Sequence, residues 1–145
     1  MKLNHLHLYV ADVRAAVVRF GHLFGLTVTS NATSQAIAFL SDGAGFTLVV
    51  QRQKSAEDTY PDGFHFGFLL DDPTDVFRFH ERAKAAGEEV GDVTENGRGT
   101  LCYCRLEGLL VEVSSHLRSH EPRRPLPLNG MIRAAGNEKL GNAKS

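Results

Sequence analysis

The sequence predicts an α+β fold made of two copies of one β-α-β-β-β module. Three observations carry this. A strand-like run leading into a capped, amphipathic helix occurs twice, over Asn4–Gly25 and Phe64–Gly87. The copies are offset by 60 residues, with His5 seven residues before Asp12 and His65 seven before Asp72. Each helical stretch is followed by three shorter strand-like segments, a pattern of separate strand and helix periodicities.

In the first copy HLHLYV alternates. Leu6, Leu8 and Val10 form the apolar set, and His5, His7 and Tyr9 face the other way. Asp12 is the expected N-cap, able to accept hydrogen bonds from the orphan amides of the first helical turn. Val13, Val17, Phe20 and Phe24 recur at helical spacing, and Gly25 suits the left-handed position after the helix. Strands are expected over Leu26–Ser30, Gln35–Leu40 and Phe46–Gln51, with a turn at Ser41-Asp42-Gly43.

In the second copy Phe64, Phe66 and Phe68 are the apolar set, while His65 shares its face with Gly67. Asp72 is the N-cap, Pro73 stands at the first helical position, where a missing N–H costs nothing, and Gly87 closes the helix. Val76, Phe79 and Ala83 form the stripe. Strands follow over Glu89–Val93, Gly99–Leu106 and Leu109–Ser114, with a turn at Glu107-Gly108. On the last strand Val111 and Val113 pack inward and Glu112 faces out with Leu110 and Ser114. The organisation is a first module over residues 1–53, a polar linker over 54–63, a second module over 64–116 and an irregular basic tail over 117–145. A single module is too small to bury a good core, so the two are expected to form one domain.

Composition narrows the function classes. The chain has 145 residues, 42% hydrophobic and 23% charged, as in ordinary globular proteins. A net charge of −1 argues against a nucleic-acid binder. The charge is uneven: residues 117–145 carry six Lys/Arg against two Glu, which leaves the first 116 residues at −5. No apolar run approaches the roughly 20 residues that span a bilayer, so no membrane partner is expected and a cytoplasmic location is. Cys102 and Cys104 stand two apart, too close along a strand for an unstrained disulfide, which fits a reducing compartment.

A lone His on a strand is ordinarily solvated or hydrogen-bonded. Here His5 and His65 hold equivalent places in two copies, and a pseudo-twofold axis would bring such places together. With Glu112 they form a donor set suited to Fe(II), Mn(II), Zn(II), Ni(II) or Co(II), with coordination positions left open. His7 is a candidate acid/base, or else a cavity-wall residue. Tyr9, Tyr103 and Cys102 are candidate substrate contacts, with packing as the alternative for each. His22 and His80 are expected to be solvated.

The run LNHLHLYVADVRAAVVRFGHLFGL resembles the opening of vicinal oxygen chelate proteins, the superfamily of glyoxalase I, extradiol dioxygenases, fosfomycin-inactivating thiol transferases and bleomycin-resistance proteins. The resemblance spans residues 1–116. It implies paired βαβββ modules forming a cupped mixed sheet around a metal site, with His5, His65 and Glu112 as ligands; Glu112 and, from its own chemistry, His7 are the candidate catalytic groups. It further implies a divalent metal cofactor and a small, oxygen-rich, bidentate substrate for a lyase, isomerase or ring-cleaving dioxygenase. A homodimer with module-swapped sites is expected, His5 coming from one chain and His65 and Glu112 from the other. The alternatives are a metal-free, bleomycin-resistance-like binding protein and a thiol transferase acting on an antibiotic. Glyoxalase I carries a fourth ligand at the position that here falls near Val49, so three ligands are expected. Fosfomycin enzymes carry Thr two residues after the first His, where this chain has His7.

Overall fold

The computed structural model describes residues 1–29 and 35–116. In chain order the elements are β1 (His5–Val10), α1 (Val13–Phe24), β2 (Thr27–Val28), β3 (Ile37–Ser41), β4 (Thr47–Arg52), β5 (His65–Leu69), α2 (Pro73–Ala85), β6 (Glu89–Val90), β7 (Thr94–Asn96), β8 (Gly99–Leu106) and β9 (Leu109–His116). They form two mixed sheets, ordered β1-β4-β3-β2 and β5-β9-β8-β6, with β7 paired to β8. In each sheet the opening strand runs parallel to the closing strand of its own module, β1 beside β4 and β5 beside β9. A parallel pair requires a crossover, and the helix supplies it.

The helices start where their caps dictate. The Asp12 carboxylate accepts from the Arg14 and Ala15 amides, and Asp72 accepts from Thr74. These amide bonds, Ala15 first, hold the Asp12 carboxyl below the ordinary carboxylate range. Gly25 closes α1 in the left-handed conformation at φ 69°. At the end of α2 the Glu88 amide donates to the Ala83 carbonyl around a left-handed Gly87.

Three expectations are corrected. The buried stripe of α1 is Val13, Ala16, Phe20 and Leu23, with Val17 and Phe24 at its margin. Phe24 is turned aside because it serves the other module: it stacks on Phe68 at 4.2 Å and meets Phe79 at 5.2 Å. The segment Glu89–Val93 is not one strand. Gly91 and Asp92, poor strand formers, separate β6 from β7, and both pair with the long β8. The strand expected over Leu26–Ser30 shortens to Thr27–Val28, with its last residue outside the described ones. The tail over 117–145 also lies outside them.

The modules are joined through α1. Phe20 is fully buried and approaches Phe66 of β5 at 6.2 Å. Arg19 binds Glu88 at 3.2 Å and also Glu107. Glu107 takes a left-handed φ of 51° in the two-residue turn that connects β8 to β9, beside Gly108 at 81°. From the linker, the Tyr60 hydroxyl accepts from the Tyr9 amide at 2.7 Å and donates to the Tyr9 carbonyl at 3.3 Å. One core therefore serves both sheets.

Candidate metal centre

The second module assembles its polar face from three strands. Register sets Glu112 of β9 opposite Gly67 of β5 on one side and Tyr103 of β8 on the other. Alternation turns Cys102, Cys104, Val111 and Val113 into the core and leaves Tyr103 and Glu112 on the open face. His65 opens β5 on that same face. Its Nε2 stands 3.7 Å from Glu112 Oε2, and the Tyr103 hydroxyl donates to the same oxygen at 2.9 Å. The His65 and Tyr103 rings meet edge to face, with centroids 5.7 Å apart.

The His65 ring is held from behind. Phe64 donates to the Pro61 carbonyl across a four-residue turn in which Gly63 takes φ 79°, the conformation that a type II turn requires at that place. The turn aims the Gly63 carbonyl at His65 Nδ1, 2.9 Å away. A carbonyl only accepts, so Nδ1 carries a proton and Nε2 is the nitrogen turned toward Glu112. Metal-ligating histidines are commonly set in this way. The donation to Glu112 is also the first cause of the raised Tyr103 pKa, followed by burial and by the carboxylate's charge.

A metal fits this pair. Two donors about 2.1 Å from one ion, at 90–110°, stand roughly 3.0–3.4 Å apart, and small side-chain rotations bring 3.7 Å into that range. The close approach depends on Gly67, where an added Cβ would lie 2.8 Å from the Glu112 carbonyl oxygen and 3.0 Å from its Cβ.

In the first module His5 is exposed and its Nδ1 lies 3.1 Å from Asn4 Oδ1. His7 Nε2 lies 2.9 Å from Gln51 Oε1, and its ring stacks on Tyr9 at 5.3 Å. Within one chain the structure brings His65, Glu112 and Tyr103 together and does not bring His5 to them. Among the described residues, no group of three His, Cys, Asp or Glu side chains is placed to hold a metal.

Cys102 is removed from the candidate substrate contacts. It is 1% exposed, on the core side of β8, and burial pushes its thiol up to about 11. Cys104 is likewise buried, its thiol pushed up to about 12, again first by burial. Three supporting residues escaped the sequence reading: Gly63, Gln51 and Tyr60. The Pro61-Asp62-Gly63 turn signal was present for the first of these. Nothing local marked the other two, whose partners lie 44 and 51 residues away.

The family model described as Glyoxalase/Bleomycin resistance protein/Dioxygenase superfamily matches residues 2–107, and the chain belongs to that superfamily. Among solved structures it is similar to a possible glyoxalase from Bacillus cereus, with 32% identity, a TM-score of 0.70 and coverage of 79% of this chain and 98% of that one. A lactoylglutathione lyase from Agrobacterium tumefaciens shares the fold at 21% identity and TM-score 0.64, covering 79% and 92%. So does a mutant of the fosfomycin resistance protein FosX from Listeria monocytogenes, complexed with Mn(II) and 1S,2S-dihydroxypropylphosphonic acid, at 20% identity and TM-score 0.66, covering 81% and 93%. Among curated proteins, none matches the chain. Among the described residues no helix is long and apolar enough to cross a membrane.

Proposed function

We propose that the chain is a metal-dependent enzyme acting on a small, oxygen-rich substrate that chelates through two oxygens. The observation that carries this is the His65–Glu112 pair, 3.7 Å apart, with the His65 tautomer set by Gly63 and the carboxylate steadied by Tyr103. His65 and Glu112 supply two ligands and His5 of a second copy the third, in a homodimer whose sites each draw on both chains. What supports the second copy is that one chain does not bring its own His5 to the pair. A divalent ion bound there supplies Lewis acidity toward substrate oxygens.

The chain's own residues define the remaining roles. Tyr103 fixes the orientation of Glu112 and, with Tyr9, lines the substrate's approach. The Gln51 amide oxygen accepts from His7 Nε2, which leaves Nδ1 free to take a proton from substrate. The FosX relative, crystallised with Mn(II), supports a divalent metal as cofactor. The reaction class, whether lyase, isomerase or dioxygenase, follows from which metal copurifies.

The test is the metal content of untagged protein, measured by mass spectrometry on wild type and Glu112→Ala. Wild type should hold close to one ion per chain. The variant should keep its far-UV spectrum and lose at least ~90% of the ion, since removing a ligand costs more than the 10–100-fold typical of an outer-shell partner. Normal stoichiometry in Glu112→Ala would sink the assignment. A monomer in sedimentation at micromolar concentration would overturn the shared site.

A further inference from the structure

We infer a second small-molecule site, between the two helices and away from the metal pair, that takes a monocarboxylate with an apolar body. A cleft of about 340 Å³ opens there, within the range of small-ligand sites. Its floor is aromatic: Phe24 stacks on Phe68 at 4.2 Å and meets Phe79 at 5.2 Å. Among the described residues its basic lining residues are His22 and Arg82, and no Asp or Glu lines it.

Arg82 is the recognising group. Arg82 lines the cleft, and one of its terminal nitrogens donates to the Leu23 carbonyl at 3.4 Å. Among the described residues no carboxylate lies within ion-pair distance of it. Arg19, Arg78 and Arg105 do have such partners, while Arg14, Arg52 and Arg98, like Arg82, have none among the described residues. A planar guanidinium matches a carboxylate through paired hydrogen bonds. An apolar floor under a cationic rim therefore selects a small amphiphile with one negative end.

Val113 lines this cleft, and its neighbour Glu112 projects from the opposite face of the same strand. The two sites thus lie back to back across β9, and the inference does not depend on the metal reading.

The experiment is an amide NMR titration of the full-length chain with octanoate, and in parallel with octan-1-ol. Octanoate should shift Gly25, Leu70 and Arg82 and bind about 5- to 10-fold more tightly than the alcohol. Arg82→Gln should erase that preference while alcohol binding persists. No shift of these amides at millimolar octanoate overturns the site, and so does equal affinity for acid and alcohol. A preference that survives Arg82→Gln overturns the role of Arg82. Should that variant fold poorly, the acid–alcohol comparison on the unaltered chain decides.

Discussion

In the first module, the strand position opposite His7 holds Val49, and the neighbour of Val49 on the next strand is Phe39. In the second module, the same two positions, opposite Gly67, hold Glu112 and Tyr103. The backbones repeat and the side chains do not. One module presents a carboxylate, a phenol and an imidazole. The other presents two imidazoles, His5 and His7, with Tyr9 and Gln51, and at the place of the carboxylate it holds Val49, only 7% exposed. The duplicated scaffold thus supplies equivalent places, and the residue at each place decides whether a donor stands there. An asymmetric three-ligand set is what such a pair of modules can build.

The largest contrast is at Gly67 and His7, which occupy equivalent places. Gly67→Ala forces a Cβ to within 2.8 Å of backbone, so the β5–β9 pairing must shift. The expected loss is about 1–3 kcal/mol in urea unfolding, with weakened metal binding. His7→Ala removes a large exposed side chain and should change stability by no more than ~0.5 kcal/mol. Similar losses for the two variants would break the comparison.

A second contrast sets Tyr103 against Phe39. Tyr103→Phe deletes the donor to Glu112 without changing shape, and metal affinity should fall about 10–100-fold in a chelator competition. Phe39→Tyr adds a hydroxyl where no carboxylate waits, and affinity should stay within roughly twofold of wild type. An unchanged affinity in Tyr103→Phe would mean that the phenol does not support the ligand.

The smallest effect concerns acid. Two first-module carboxyls lie below their ordinary value of 3.8: Asp12, bonded chiefly by the Ala15 amide, and Asp42, bonded by the Phe46 and then the Ala44 amides. A depressed folded pKa contributes stability that is complete above the unfolded value and lost as pH falls through the folded one. Thermal unfolding should therefore show a modest loss as pH falls below 3.8. Asp12→Asn retains a cap and removes that charge, so its Tm should fall less than wild type over this window. A wild-type Tm that falls no further than that of Asp12→Asn would assign acid sensitivity elsewhere.

Much of the site was legible because alternation along a strand is local. From HLHLYV, HFGFLL and LLVEVSS one can read that His5, His65 and Glu112 leave the helix-covered faces, and burial follows that parity on β1 and on β9 as far as Val113, whereas Ser114, expected outward with Glu112, is buried. Val49 as the counterpart of Glu112 came from matching the last strands of the two modules, 63 residues apart, and register sets each opposite the equivalent residue of its module. Cys102 was misplaced because composition alone does not say which face of β8 is covered. Its parity is opposite to that of Tyr103, which could have excluded it. The α1 stripe was read one face too far because Phe24 is apolar for the sake of Phe68 and Phe79, more than 40 residues away.

The sequence by itself determined the repeat, the helix caps, the parity of the candidate ligands and the apolar Val49 at the counterpart of Glu112. These depend on spacing and on side-chain chemistry within a few residues. Tertiary structure alone decided that Glu112 meets Tyr103 and His65, that Gly67 clears room for it, and that Gly63 sets the His65 tautomer. It also decided that a single chain keeps His5 away from the pair. Those outcomes come from strand register and from how α1 seats one module on the other, and both are contacts between residues far apart in the chain.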